Sequence, residues 1–143
     1  MNFVVGSSRG ILSSSSLEIP IFAVIAMGDD IISYSGNRVE ELKNPLMHAE
    51  YISVITSLQK LKTKYLDEMS LYVNLEPCCF CASVLEKVRI QNIFFGAYDP
   101  KCGGIEHNAR IFDSSLHKPK NIIGGIRESE CSNIIKEFFK KLR

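Results

Sequence analysis

The chain lacks low-complexity tracts, internal repeats and tryptophan, and holds only five prolines in 143 residues. Collagen-like, polyproline and repeat architectures are therefore excluded. Its longest apolar stretch, Ile21 to Met27, stops before Asp29-Asp30, far below the roughly 20 residues of a bilayer span. No basic segment leading into an apolar run of signal-peptide length opens the chain, which points to the cytoplasm rather than export. Charge of one sign is also missing: 17 Lys/Arg face 16 Asp/Glu, for a net +1. The balance hides a gradient, with 3 basic against 6 acidic residues in 1–50 and 9 against 5 in 101–143. The basic excess at the C-terminal end either contacts phosphates or forms a solvated helix face. Cysteine is scarce and odd in number. Three of the five fall at 78, 79 and 81, a clustering that reads as metal or redox chemistry before disulfides.

What is present fits one domain spanning 1–143, long enough to bury a core without staples. Residues 1–17 read as a weak helix, since Gly6, Gly10 and the Ser13–Ser16 run oppose it. Ile21 to Met27 predicts a buried strand, Asp29-Asp30 its turn, and Ile31 to Ser35 the hairpin partner. Asn44-Pro45 reads as an N-cap and first position of a helix to about Lys64, with Ile52, Ile55, Leu58 and Leu61 as its apolar stripe. Leu71 to Leu75 is a strand, and Pro77 opens a helix that ends near Lys87. Strands follow at Asn92 to Ala97 and Asn121 to Ile126, and a closing amphipathic helix covers 129–142. Two antiparallel strands followed by α-β-α-β-loop-β-α predict one mixed sheet with helices on both faces, an α/β fold.

The chemistry concentrates in His48-Ala-Glu50 and Pro77-Cys78-Cys-Phe-Cys81. One imidazole and two thiols can hold Zn²⁺ at three corners and leave the fourth for water. Cys78 and Cys81, three apart, share a helix face. Near a helix N-terminus the unpaired N–H groups and the dipole favour thiolates. A carboxylate two residues from the imidazole is placed to move the water's protons, which describes hydrolysis. Positions i and i+2 of a straight helix lie about 200° apart, so His48 and Glu50 face one metal only if the helix end is irregular or Glu50 reaches around. A structural zinc site with Cys102, Cys131 or His107 as fourth ligand, and a redox Cys-x-x-Cys, are the competing readings. Cys79 reads as a packed free thiol and His107 as a loop histidine without a role.

The two motifs together form the known signature of zinc deaminases, and the chain resembles the zinc-dependent nucleoside and nucleobase deaminases of the cytidine/deoxycytidylate deaminase superfamily. Glu18-Ile-Pro20, Gly36-Asn37-Arg38, Leu71-Tyr-Val-Asn-Leu-Glu-Pro-Cys78, Phe95-Gly-Ala-Tyr-Asp-Pro-Lys101, Glu130-Cys131 and Phe138-Phe139 narrow the resemblance to the bacterial tRNA-specific adenosine deaminases over about 18–143. It implies a three-layer α/β/α sandwich with a five-stranded mixed sheet, cytidine-deaminase-like. It also implies hydrolytic deamination of the wobble adenosine of an arginine tRNA to inosine in a homodimer that contacts RNA with both subunits. One Zn²⁺ per subunit is held by His48, Cys78 and Cys81, and Glu50 shuttles the protons. Substrate contacts fall at Asn37, Ala49, Leu75 and Asp99 around the nucleotide, and at Phe139, Lys140 and Arg143 near the anticodon stem-loop. Deamination of a free base or nucleotide is the alternative, and a non-catalytic zinc-stabilised RNA-binding module a third reading.

Three features depart from that family's pattern. The N-terminal segment is Gly- and Ser-rich rather than Ala/Glu-rich. Asn44-Pro45-Leu46 replaces Asp-Pro-Thr. Phe22 stands where the family usually has Gly, which bears on the shape of the pocket wall.

Overall fold

A computed structural model describes residues 1–143. Its elements run α1 (Asn2–Ser13), β1 (Phe22–Met27), β2 (Asp30–Gly36), α2 (Val39–Leu42), α3 (Ala49–Leu61), β3 (Ser70–Leu75), α4 (Cys79–Lys87), β4 (Asn92–Ala97), a 3₁₀ turn (Ile111–Asp113), β5 (Asn121–Ile123) and α5 (Glu128–Lys141). The five strands lie in the order β2-β1-β3-β4-β5. β1 pairs antiparallel with β2 and β3, whereas β3, β4 and β5 are parallel. Parallel neighbours need crossovers, supplied by α4 between β3 and β4 and by the long loop with the 3₁₀ turn between β4 and β5. The expected mixed sheet covered on both faces is what forms. No helix is long and apolar enough to cross a membrane.

Strand alternation sorts the core. Ala23 and Ile25 of β1, Leu71 and Val73 of β3, and Ile93 and Phe95 of β4 pack with Ala49, Val54, Ala82 and Leu85 of α3 and α4. On the other face, Val5 and Leu12 of α1 pack with Ala97, Ile134 and Phe138. Phe22 and Val24 join Val4 there. Phe22 is thus turned away from the layer that carries α3 and α4, and its ring meets Phe3 and Tyr34 at centroid distances of 5.5 and 5.8 Å. It does not shape the pocket wall; it anchors α1, and α1 forms across Gly6 and Gly10 because this packing outweighs their poor propensity.

Several local expectations shift. The hairpin turns at Gly28-Asp29 rather than Asp29-Asp30, with Gly28 at φ +57°, a conformation glycine adopts without strain. The helix predicted from Pro45 begins only at Ala49. Asn44 spends its side-chain oxygen on the amide of Leu46 (3.0 Å) and its carbonyl on Met47 (3.2 Å), which makes a turn instead of a cap. The short α2, absent from the sequence reading, is held by the buried Glu18 carboxylate, which accepts the amides of Val39 (3.1 Å) and Glu41 (2.8 Å).

The face of α3 also differs from the expected stripe. Ala49, Glu50, Ser53, Val54 and Ser57 are buried, whereas Ile52, Ile55, Leu58 and Leu61 are only half-buried. Ser53 Oγ donates to the carbonyl of Ala23 at 3.2 Å, and Ser33 Oγ lies 2.7 Å from Ser57 Oγ. Small hydroxyl residues let this helix approach the sheet closely, which brings its N-terminus to the site below.

Candidate metal centre

His48 and Cys78 each occupy the position immediately before a helix, with extended backbone (ψ 148° and 170°). Both helices therefore present their N-termini to one point, and Cys81 enters from the first turn of α4. The candidate ligand atoms of His48, Cys78 and Cys81 all lie within 4.8 Å of one another. His48 Nδ1 stands 3.6 Å from Cys78 Sγ and 3.5 Å from Cys81 Sγ. The i, i+2 conflict between His48 and Glu50 dissolves because His48 precedes α3 rather than lying in it. Glu50 alone is helical and reaches the thiol of Cys81.

The electrostatics suit a cation. Hydrogen bonding from Cys81 and His48 outweighs burial and brings the Cys78 thiol down to about 4. Cys81 is pushed up by donating to Cys78, by burial and by the Glu50 carboxyl. His48 is raised, first by its contact with Cys78. Two sulfurs and an imidazole thus compete for protons that a metal would replace. Burial pushes Glu50 up to about 7. Its Oε2 is a buried polar atom without a partner, which a water on a metal in the cluster would satisfy. A nitrogen and two sulfurs are the borderline-soft donor set that suits Zn²⁺, so the residues fit the ion.

No fourth protein ligand closes the cluster. Cys102 is exposed. Cys131 is buried on α5 against Gly96, where even a methyl group would stand 2.3 Å from its sulfur. His107, read from sequence as idle, is engaged elsewhere: its ring Nδ1–H donates to Glu76 Oε2 at 2.7 Å. Glu76 enters the sequence analysis only within the Leu71–Cys78 stretch, with no role of its own, although a carboxylate closing a buried strand has to find partners. Its Oε1 accepts the amides of Ile105 (3.3 Å), Glu106 (2.8 Å) and His107 (3.1 Å), and Oε2 also accepts that of Asp99 (3.0 Å). Burial raises this carboxyl, but the donors prevail and hold it below the usual carboxylate range.

The other singled-out residues divide in two. Asn37 is buried, and its Oδ1 accepts the amide of Ala49 at 2.8 Å. That bond fixes the orientation of the side-chain amide, leaving its two N–H donors for another partner. Ala49 is fully buried and Leu75 half-buried at the end of β3. Asp99 Oδ1 caps the turn that follows it, accepting the amides of Lys101 and Cys102, both at 3.1 Å. Phe139, Lys140 and Arg143 lie exposed on and after α5, while Phe138 is core. Cys79 sits 3.9 Å from the carbonyl of Gly103.

Residues 12–143 match the MafB19-like deaminases. The chain is 39% identical over 130 residues to the tRNA-specific adenosine deaminase of Rickettsia typhi, covering 88% of this chain and 87% of that protein. It is 41% identical over 126 residues to the one from Aquifex aeolicus, covering 88% and 83%. The chain belongs to the tRNA-specific adenosine deaminase family. Among solved structures, a tRNA:A34 deaminase described in work on A-to-I editing at the wobble position superposes with a TM-score of 0.86 at 33% identity, over 94% of this chain and 96% of that one. The guanine deaminase of Nitrosomonas europaea shares the fold, with a TM-score of 0.81 at 15% identity, over 96% and 81%. Membership makes the chain a hydrolytic deaminase, and the three-donor cluster lies where its two motifs meet.

Proposed function

We propose that this chain deaminates the wobble adenosine of an arginine tRNA to inosine, with one Zn²⁺ held by His48, Cys78 and Cys81. The observation that carries the reading is an open three-donor cluster beside a buried carboxylate, Glu50, whose buried Oε2 has no protein partner. When bound, zinc supplies Lewis acidity that lowers the pKa of a coordinated water toward about 7. Glu50 takes a proton as the water oxygen bonds to C6 of the flipped-out adenine and delivers it to the ring nitrogen. Glu50 then passes the remaining proton, from the hydroxyl now on C6, to the exocyclic amine, so that the C6–N bond breaks, the C6=O bond forms and ammonia leaves.

Asn37 holds the base through its free amide donors, and the amide of Ala49 fixes Asn37. Leu75 and Asp99 line the nucleotide, and Phe139, Lys140 and Arg143 meet the anticodon stem-loop through stacking and phosphate contacts. The enzyme works in the cytoplasm as a homodimer whose two subunits both touch the RNA. Support comes from the tRNA-specific adenosine deaminases of Rickettsia typhi and Aquifex aeolicus, matched over 87% and 83% of their length, and from the tRNA:A34 deaminase structure.

The test is to incubate purified, metal-quantified protein with an arginine tRNA carrying adenosine at the wobble position and to assay inosine by mass spectrometry. Stoichiometric inosine at that position is the expected result. Ammonia released from free guanine or cytosine, with the tRNA untouched, overturns the reading.

A further inference from the structure

Glu76 takes no part in the chemistry outlined above, yet its fully buried side chain receives five hydrogen bonds. All come from one segment, Asp99 to His107, which doubles back against the entrance of α4. There Gly103 bridges to Cys78, and the amide of Gly104 donates to the carbonyl of Pro77 at 2.8 Å. The fit leaves no room for a methyl group. A Cβ on Gly103 would stand 2.5 Å from Glu76 Cδ, and one on Gly104 2.6 Å from Cys79 Cα. The segment, the carboxylate and the metal ligand Cys78 therefore form one packed unit.

We infer that Glu76 and His107 form a clamp that positions the 99–107 loop beside Cys78, and that the clamp governs how tightly the nucleotide is held rather than the rate of its chemistry. The inference rests on the RNA-deaminase reading above. Glu76 and His107 are positioning residues, acting through the backbone of Asp99 and the loop behind it. Only an ionised carboxylate can serve, since it accepts on both oxygens. A glutamine at 76 would turn an N–H toward donors on one side. His107 is the lever by which the clamp is released, because its side chain is 35% exposed and its loss opens no core cavity.

The test compares His107→Ala and His107→Asn in the zinc-loaded protein. Asparagine can place its amide nitrogen where Nδ1 stands and so keep the bond to Glu76. His107→Ala is expected to raise KM for the RNA about tenfold, equivalent to about 1.4 kcal/mol. It should keep kcat within about twofold, retain one metal per chain and speed amide exchange at Asp99 and Glu106. His107→Asn should restore KM and protection. Unchanged KM, a parallel loss of kcat and folded protein, or an asparagine variant no better than alanine overturns the clamp. A wild-type protein that leaves RNA unmodified overturns the functional reading instead. In that event amide exchange still decides, and unaltered protection in His107→Ala overturns the clamp.

Discussion

Asn37 Oδ1 accepts the amide hydrogen of Ala49 at 2.8 Å, and Ala49 stands between the ligand candidate His48 and the carboxylate of Glu50. One side chain thus satisfies an otherwise orphan N–H of the first turn of α3 and keeps its own two donors for another partner. The two roles separate by mutation. Asn37→Asp keeps an acceptor for Ala49, so the thermal midpoint should stay within a few degrees while KM for RNA rises at least tenfold. Asn37→Ala removes the acceptor as well, and leaving a buried N–H unpaired costs about 1–3 kcal/mol. Thermal denaturation beside steady-state kinetics distinguishes the pair, and equal destabilisation by both variants would contradict the assignment.

Glu50 makes a second contrast between stability and activity. A buried carboxylate with an unpartnered oxygen is unfavourable in the folded chain. Glu50→Gln removes the charge at nearly constant volume, so the protein should melt at the same temperature or higher. General acid–base catalysis contributes about 10²–10⁴-fold, and kcat should fall by at least a hundredfold with metal content unchanged. Inosine formation at the wild-type rate would remove Glu50 from the mechanism.

Much of this site is legible in the chain because its donors are rare residue types at diagnostic spacing. His48, Cys78 and Cys81 stand at or just inside helix starts, and Pro77 marks one of them. The start of α3 is not legible, since Asn44-Pro45 serves a turn and a cap equally well until Met47 closes one of them. Nor is the side on which Phe22 lies. A fully buried strand is apolar on both faces, so its alternation carries no phase, and only the register with β2 and β3 sets Ala23 inward and Phe22 toward α1. The partnership of Glu76 and His107 spans 31 positions. Local pattern cannot find it, although the burial of an acidic residue at a strand end demands that some donor exist.

The placement of Phe22 makes a prediction of its own. Phe22→Ala empties an aromatic contact beneath α1, and truncations of this kind cost about 3–5 kcal/mol. The melting temperature should drop by roughly 10 °C for a chain of this size. Metal content and KM for RNA should not move, because the ring lies on the face opposite the metal cluster. A raised KM at a temperature where the variant is fully folded would return Phe22 to the pocket wall.

Four of the five cysteines should separate cleanly by metal content. Anything that binds only the native state stabilises it by mass action, so chelation should lower the melting temperature and abolish activity, and added Zn²⁺ should restore both. Cys78→Ser or Cys81→Ser replaces a soft sulfur with a hydroxyl that a neutral-pH protein does not ionise, and metal measured by atomic emission should fall from one per chain to near zero. Cys102→Ser should leave metal and activity unchanged, since that residue is exposed and outside the cluster. Cys131→Ala should also keep its metal, and lose stability instead, because its sulfur fills the space over Gly96. Metal lost from Cys102→Ser would mean that a fourth protein ligand closes the site. The position open to water in the proposed hydrolysis would then not exist.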